Sequence, residues 1–180
     1  MGALSIEKLT SGHDLSSFDC DDDDLNEFIK VDALHYQEHL LTTTYLLLTE
    51  GEIIAFFSLH NDRIHVDDAD RKKWNRLGRK IPNLKRRSSY PAVKIGRLGV
   101  KKGIQRGGYG TKITDYVKIN MGVNSPCGCR FITVDAYNNQ RALSFYTKMG
   151  FEFLRESDDG DKTRLMYYDL KQISNPVHGG

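Results

Sequence analysis

The chain has no apolar run long enough to cross a bilayer. Its most apolar stretches, 43–49 and 52–59, are separated by Glu50-Gly51 and fall well short of the roughly 20 residues a span requires. Cysteine is scarce and odd in number: Cys20, Cys127 and Cys129 cannot make a disulfide framework, and a chain of 180 residues can fold without one. Cys127-Gly-Cys129 has no second close pair and no Cys or His spacing to complete a ligand set, so reduced thiols in a turn are expected and no metal. The start, MGALSIEKLT, lacks the basic opening and long apolar centre of a secretory signal, and residue 6 is not the Ser or Thr of a myristoylation pattern. These absences point to a cytoplasmic protein with no membrane partner.

What is present is the composition of one ordinary globular domain, expected over 1–173, with a flexible tail at 174–180. The net charge of +2 is unevenly spread. Asp21 to Asp24 form an acidic cluster, while residues 71–87 hold nine Lys or Arg and no acid. A block of one sign is either a solvated face or the footprint of a phosphate-rich partner.

Periodicity predicts a short strand at 4–9, a helix at 24–40, and a hairpin of 43–49 and 52–59 around Glu50-Gly51. A polar stretch, 60–90, holds one short helix around Trp74. The second half predicts a strand at 93–100, a glycine-rich loop at 105–110 opening a helix to about Met121, and a strand at 131–137. A helix from about Asn139 to Met149 follows, then strands at 151–155 and 164–170. Strand, loop, helix, strand is a parallel crossover within an α+β sheet.

The loop carries the sharpest chemical signal. In Gln105-Arg106-Gly107-Gly108-Tyr109-Gly110-Thr111 a strand end leads through three glycines into a helix. The first N–H groups of a helix lack partners, and its dipole adds positive potential, so a phosphate can sit close against such a chain. The loop fits neither G-x-G-x-x-G nor a Gly-Lys-Ser/Thr ending, which argues against dinucleotide and P-loop sites. A tight turn with no ligand is the plainer alternative.

Gln105-x-x-Gly108-x-Gly110 resembles the pyrophosphate signature of the GCN5-related N-acetyltransferases (GNAT). Asn139-x-x-Ala142-x-x-x-Tyr146-x-x-x-Gly150-Phe151 resembles that family's second signature, in the expected order. The resemblance spans about residues 4–170. It implies a mixed, mostly antiparallel twisted sheet with splayed central parallel strands and helices on both faces. It implies acetyl-CoA as co-substrate, with the backbone of Leu98, Gly99 and Val100 along the pantetheine and the N–H groups of Arg106 to Thr111 on the pyrophosphate. Gln105 belongs to the same signature, and Asn139 would help to position CoA. Tyr146 would be the general acid. A phenol and a thiol have ordinary pKa values of roughly 10 and 8.5, so proton transfer to the departing thiolate is nearly balanced. The competing reading makes Tyr146 core packing, since Ala142, Phe145, Tyr146 and Met149 share a helix face. No base is visible: the strand 93–100 has no acid, Glu52, Asp135 and the hairpin's polar neighbours are open candidates, and bulk water suffices if the amine arrives neutral.

The acceptor is an amine of open identity. Phe18-Asp-Cys-Asp-Asp-Asp-Asp-Leu25 through Ala33, with Arg97-Leu98-x-Val100, resembles the toxin branch that acetylates aminoacyl-tRNA, although Asp21 replaces the usual small residue. That branch implies tRNA over the basic run 71–87, with Trp74 and Tyr90 available to stack on an unpaired base, and a small antitoxin. A homodimer is left open. The alternatives are an acetyltransferase for a small amine, polyamine or protein amine, drawn by Asp21–Asp24, and a non-catalytic acyl-CoA sensor.

Overall fold

A computed structural model of the chain describes residues 3–81, 87–125 and 127–174. The expected tail lies outside these, apart from Ser174. In chain order the elements are β1 (Leu4–Lys8), α1 (Asp23–Glu27), a π-helical turn (Phe28–Asp32), α2 (Ala33–Glu38), β2 (Thr43–Thr49) and β3 (Glu52–His65). A 3-10 turn (Val66–Asp68), α3 (Arg71–Arg79), β4 (Ser89–Val100) and α4 (Tyr109–Val123) follow. The chain then forms β5 (Phe131–Tyr137), α5 (Gln140–Lys148), β6 (Glu152–Phe153), β7 (Thr163–Asp169) and α6 (Lys171–Ser174). The seven strands take the order β1-β2-β3-β4-β5-β7-β6. β4 and β5 run parallel, while β1 with β2, β2 with β3, β5 with β7 and β6 with β7 are antiparallel. This is the mixed, mostly antiparallel α+β sheet that the sequence predicts. The β4–β5 ladder is registered at Ala92 to Lys94 against Phe131 to Thr133, and β4 continues past it to Val100.

The chain divides into two compact units, Met1–His60 with Ile95–Val117, and Asn61–Lys94 with Lys118–Gly180. In the first, Leu46 pairs with Phe56 and Thr44 with Ser58 across β2 and β3, the period of two putting these residues on one face. Leu46 and Phe56 are fully buried there with Leu9, Phe18, Phe28 and Ile29. Fully burying a ring of that size contributes about 1.5–3 kcal/mol. The predicted single helix, 24–40, is broken in the middle. Asp22 caps α1 by accepting from Leu25 N at 3.0 Å, and the chain then widens into the π turn that brings both Phe28 and Ile29 into the core. The β2–β3 turn is where it was expected, with Glu50 at φ 50° and Gly51 at φ 83°.

The second unit is built on Phe131, Tyr90, Tyr167 and Leu154, with Leu77 of α3 fully covered among them. Trp74 stacks on Tyr90 at 5.2 Å, and Tyr90 is itself only 8 % exposed. The expectation that Tyr90 is available to a base is therefore corrected, while Trp74 is half-buried. α3 has one apolar stripe, and Trp74 and Leu77, three residues apart, both lie on it. In the same unit the Lys118 ammonium is buried, donating to Met149 O at 2.7 Å past the end of α5 and lying 4.4 Å over the Tyr168 ring. A cation there satisfies a carbonyl the helix leaves open and complements its dipole. Replacing Lys118 by Met keeps the stem and deletes the donor. Chemical denaturation of Lys118→Met should show a loss of about 1–3 kcal/mol, against under half that for the exposed Lys148→Met.

Candidate active site

In the first unit the site begins where β4 gives way to α4. Arg106 has φ 69° and Gly108 φ 82°, both left-handed, with Gly107 between them. Only at Gly108 does the sequence supply the residue that takes this conformation at no steric cost, and a Cβ there would meet nothing within 4 Å. The backbone therefore turns, with open space beside Gly108 and the Tyr109 ring beside Gly107, directly into the fifteen-residue helix α4. Lys112 N already bonds Gly108 O at 3.0 Å, and Gly107 N bonds Ile104 O at 3.2 Å, so the turn is fixed by the chain itself. Arg106, Gly107, Gly108 and Thr111 are exposed, and Tyr109 and Gly110 are half-buried. This is a structured cradle whose helix-start N–H groups suit an anion.

Gln105 does a different task from those N–H groups. Its side-chain amide donates to Cys20 O at 2.8 Å and to Val100 O at 3.2 Å, tying the loop both to β4 and to the acidic turn. The turn is bound to the loop again by Lys102 N donating to Asp19 O at 2.7 Å and by Lys102 Nζ on Asp21 at 2.6 Å. Asp21 has φ 63°, in the left-handed region that Asp tolerates better than most side chains. Cys20 N donates to Asn26 Oδ1 at 2.9 Å, and the Cys20 thiol lies 3.3 Å from the same oxygen. Burial, then the Asp22 charge, push that thiol up to about 11, so Cys20 is a packed thiol rather than a nucleophile.

The acidic cluster is less negative than the sequence suggests. Asp21 meets Lys102, and Asp24 meets Arg97 at 3.4 Å, with the guanidinium also 5.4 Å over the Phe28 ring. Glu52, one candidate base, is ion-paired to Lys101. Leu98 and Val100 are half-buried and Gly99 is buried along the end of β4. Gly96 lies against a histidine that the motifs did not single out. A Cβ at this position would sit 3.0 Å from Nδ1 and Cε1 of His60 and 3.2 Å from Ser58 Oγ.

The second unit carries the remaining predicted residues. Asn139 is the N-cap of α5: its Oδ1 accepts from Ala142 N at 2.9 Å, so the side chain starts the helix. Asn138, beside it, donates to Asp159 O at 2.7 Å and Asp161 O at 2.9 Å, fixing the helix start to the β6–β7 connection. Tyr146 is 8 % exposed, edge-on to Phe145 at 4.9 Å and to Phe151 at 5.3 Å. Burial pushes its phenol well above the ordinary range. Asp135, the other candidate base, is held by Lys94 at 2.8 Å. The basic run is divided as well. Lys73 and Arg76 engage Glu152, whose carboxyl they hold below its usual range against the opposing effect of burial, whereas Arg71, Lys72, Arg79 and Lys80 are exposed. Lys85 and Arg86 lie outside the described residues. Among the described residues no cluster of His, Cys, Asp and Glu could hold a metal ion, and no helix is long and apolar enough to cross a membrane.

The fold is shared with solved toxin structures. The structure of AtaT complexed with acetyl-methionyl-tRNAfMet aligns at TM-score 0.79 and 22% identity, covering 96% of this chain and 98% of that one. A tyrosine-to-phenylalanine mutant of KacT aligns at TM-score 0.77 and 24% identity, over 95% and 97%. A tyrosine-to-phenylalanine mutant of the AtaT toxin, bound to the C-terminus of the antitoxin AtaR, aligns at 0.74 and 21%, over 99% of both chains. The model of the Acetyltransferase (GNAT) family matches residues 10–151, and the chain belongs to that family of acetyltransferases.

Proposed function

We propose that the protein transfers an acetyl group from acetyl-CoA to the α-amino group of an aminoacyl-tRNA, as a toxin restrained by a small antitoxin. The observation that carries the acyl-donor half is the cradle: left-handed Arg106 and Gly108 opening onto α4, held by the Gln105 tie. In this reading the N–H groups of Arg106 and of Gly108 to Thr111 take the pyrophosphate, Gly107 N being held by Ile104 O, and the backbone of Leu98, Gly99 and Val100 takes the pantetheine. Asn139 acts on CoA through the α5 start that it caps. The amine attacks the thioester carbonyl, an N–H near Leu98 stabilises the oxyanion, and the C–S bond breaks. Tyr146 gives its proton to the departing thiolate. Burial raises the phenol above its ordinary range and keeps it protonated at neutral pH.

The likeness to AtaT bound to acetyl-methionyl-tRNAfMet supports the acceptor half. So does α3, where Lys72 and Arg79, seven residues apart, fall on one exposed stripe able to follow a phosphate backbone. The internal pairing of Asp21 and Asp24 weighs against a polyamine drawn by the acidic turn. Acetyl-CoA consumption measured with a pool of aminoacylated tRNA, spermidine and a lysine peptide tests the reading. Turnover confined to the aminoacylated tRNA is expected, and turnover confined to spermidine or peptide would replace it.

Three variants separate its parts. Gly108→Asp puts a carboxylate and a strained φ into the cradle, and calorimetry should show acetyl-CoA affinity reduced by tenfold or more, about 1.4 kcal/mol. An unchanged affinity removes the cradle from the account. Tyr146→Phe keeps the ring against Phe145 and Phe151 and should fold normally. Its single-turnover rate should fall about 10²–10⁴-fold with acetyl-CoA affinity nearly intact, whereas a packing role predicts full activity. Replacing Arg71, Lys72, Arg79 and Lys80 by Gln should weaken tRNA binding and flatten its salt dependence while leaving acetyl-CoA binding unchanged. An unaltered salt slope would make α3 a solvated face only.

A further inference from the structure

The transfer reaction needs a group to take a proton from the attacking amine, and the two carboxylates the sequence offers are each held by a lysine, Glu52 by Lys101 and Asp135 by Lys94. We propose that His60 is that proton acceptor, placed by Gly96 at the polar end of the first unit's sheet. The assignment rests on the acetyl-transfer reading and concerns this chain's own residues.

Three observations meet at this point. The first is the sheet face itself. Leu46 and Phe56 form its buried apolar end, and the next pair along is Thr44 and Ser58, both buried. Continuing two residues along β3 brings His60, and two residues back along the chain from Thr44 brings Thr42. The face thus changes from hydrocarbon to hydroxyl and imidazole within one repeat. The second is that the hydroxyls of Thr42, Thr44 and Ser58 are buried with no hydrogen-bond partner among the described residues. Each such group costs about 1–3 kcal/mol if nothing fills it, so a run of three implies water or a polar ligand along that face. The third is Gly96. The His60 ring and Ser58 Oγ occupy the space a side chain would take, at 3.0 and 3.2 Å from the Cβ position. The imidazole is thereby laid directly on β4, two residues before Leu98, whose backbone is assigned to the acetyl end of CoA.

The chemistry balances with the groups assigned. The amine nitrogen forms a bond to the thioester carbon, and the carbonyl π pair moves onto oxygen. The neutral imidazole of His60 takes the proton released by that nitrogen. Collapse of the oxyanion breaks the C–S bond, and the thiolate takes a proton from Tyr146. The imidazolium releases its proton to solvent and the tyrosinate recovers one from solvent, leaving the amide, free CoA and an unchanged protein. An imidazole suits this because its ordinary pKa, near 6.5, leaves it mostly neutral at pH 7 yet basic enough to accept.

The test is single-turnover transfer from labelled acetyl-CoA to the aminoacylated tRNA pool, with folding checked by thermal melting and acetyl-CoA affinity by calorimetry. His60→Ala should bind acetyl-CoA within twofold of the parent and lose about 10²–10³-fold in the chemical step. Added imidazole should restore at least a tenth of the rate, and pyrazole, equal in size and far less basic, should restore none. Gly96→Ala retains the imidazole and displaces its ring, so it should lose rate without rescue by either additive. If His60→Ala folds poorly, His60→Gln supplies the same comparison. An unchanged chemical step overturns the assignment, as does a loss that imidazole and pyrazole repair equally, which marks packing. If the parent acetylates no amine at all, the transfer reading fails first, and His60 with it.

Discussion

One side-chain amide carries much of the site's geometry. Gln105 bonds the carbonyl of Cys20, 85 residues away in sequence, and that of Val100 at the end of β4. Lys102 adds a second tie between the loop and the acidic turn, through Asp19 O and Asp21. With these ties, Cys20, Asn26 and Asp19 form a small hydrogen-bonded block behind the loop, and Arg106 and Gly108 can turn in the left-handed region without the chain relaxing. The first residue of the motif is thus a structural tie for the N–H groups that follow it. A loop that meets a pyrophosphate with backbone groups has little side-chain chemistry of its own and must be rigid before the ligand arrives.

Charge pairing is the second organising constraint. Both blocks of like charge prove to be partly internal. Asp21 and Asp24 hold Lys102 and Arg97 against the first unit, and Lys73 and Arg76 hold Glu152 in the second. Such partly exposed pairs contribute little to stability, but they fix where loops and helices lie. They also decide which cations are left for a partner, and on α3 these are Arg71, Lys72, Arg79 and Lys80.

The elements were legible in the sequence where a single period ran unbroken: the Thr43–Thr49 hairpin strand, β5 and α5 all lie where alternation or helical spacing put them. The arm 24–40 read as one helix because Phe28 and Ile29 each fit a helical stripe, and only packing reveals the π turn that buries both. Trp74 and Tyr90 read as free aromatics in a basic stretch, since no sequence pattern shows that α3 turns its apolar stripe onto β4. The cradle was legible because glycines with a helix start have a mechanism of their own. His60 was not, because its neighbour in space is a glycine 36 residues later, and an absent side chain leaves no signal in one sequence.

The fold and the family make this an acetyltransferase, and the account stands on one claim beyond them: that the cradle and the end of β4 bind the CoA. A crystal structure of the protein with CoA tests it most directly. The account predicts pyrophosphate oxygens within hydrogen-bond distance of N–H groups between Arg106 and Thr111 and pantetheine along Leu98 to Val100. A pyrophosphate bound anywhere else, or a pantetheine away from the end of β4, would contradict it.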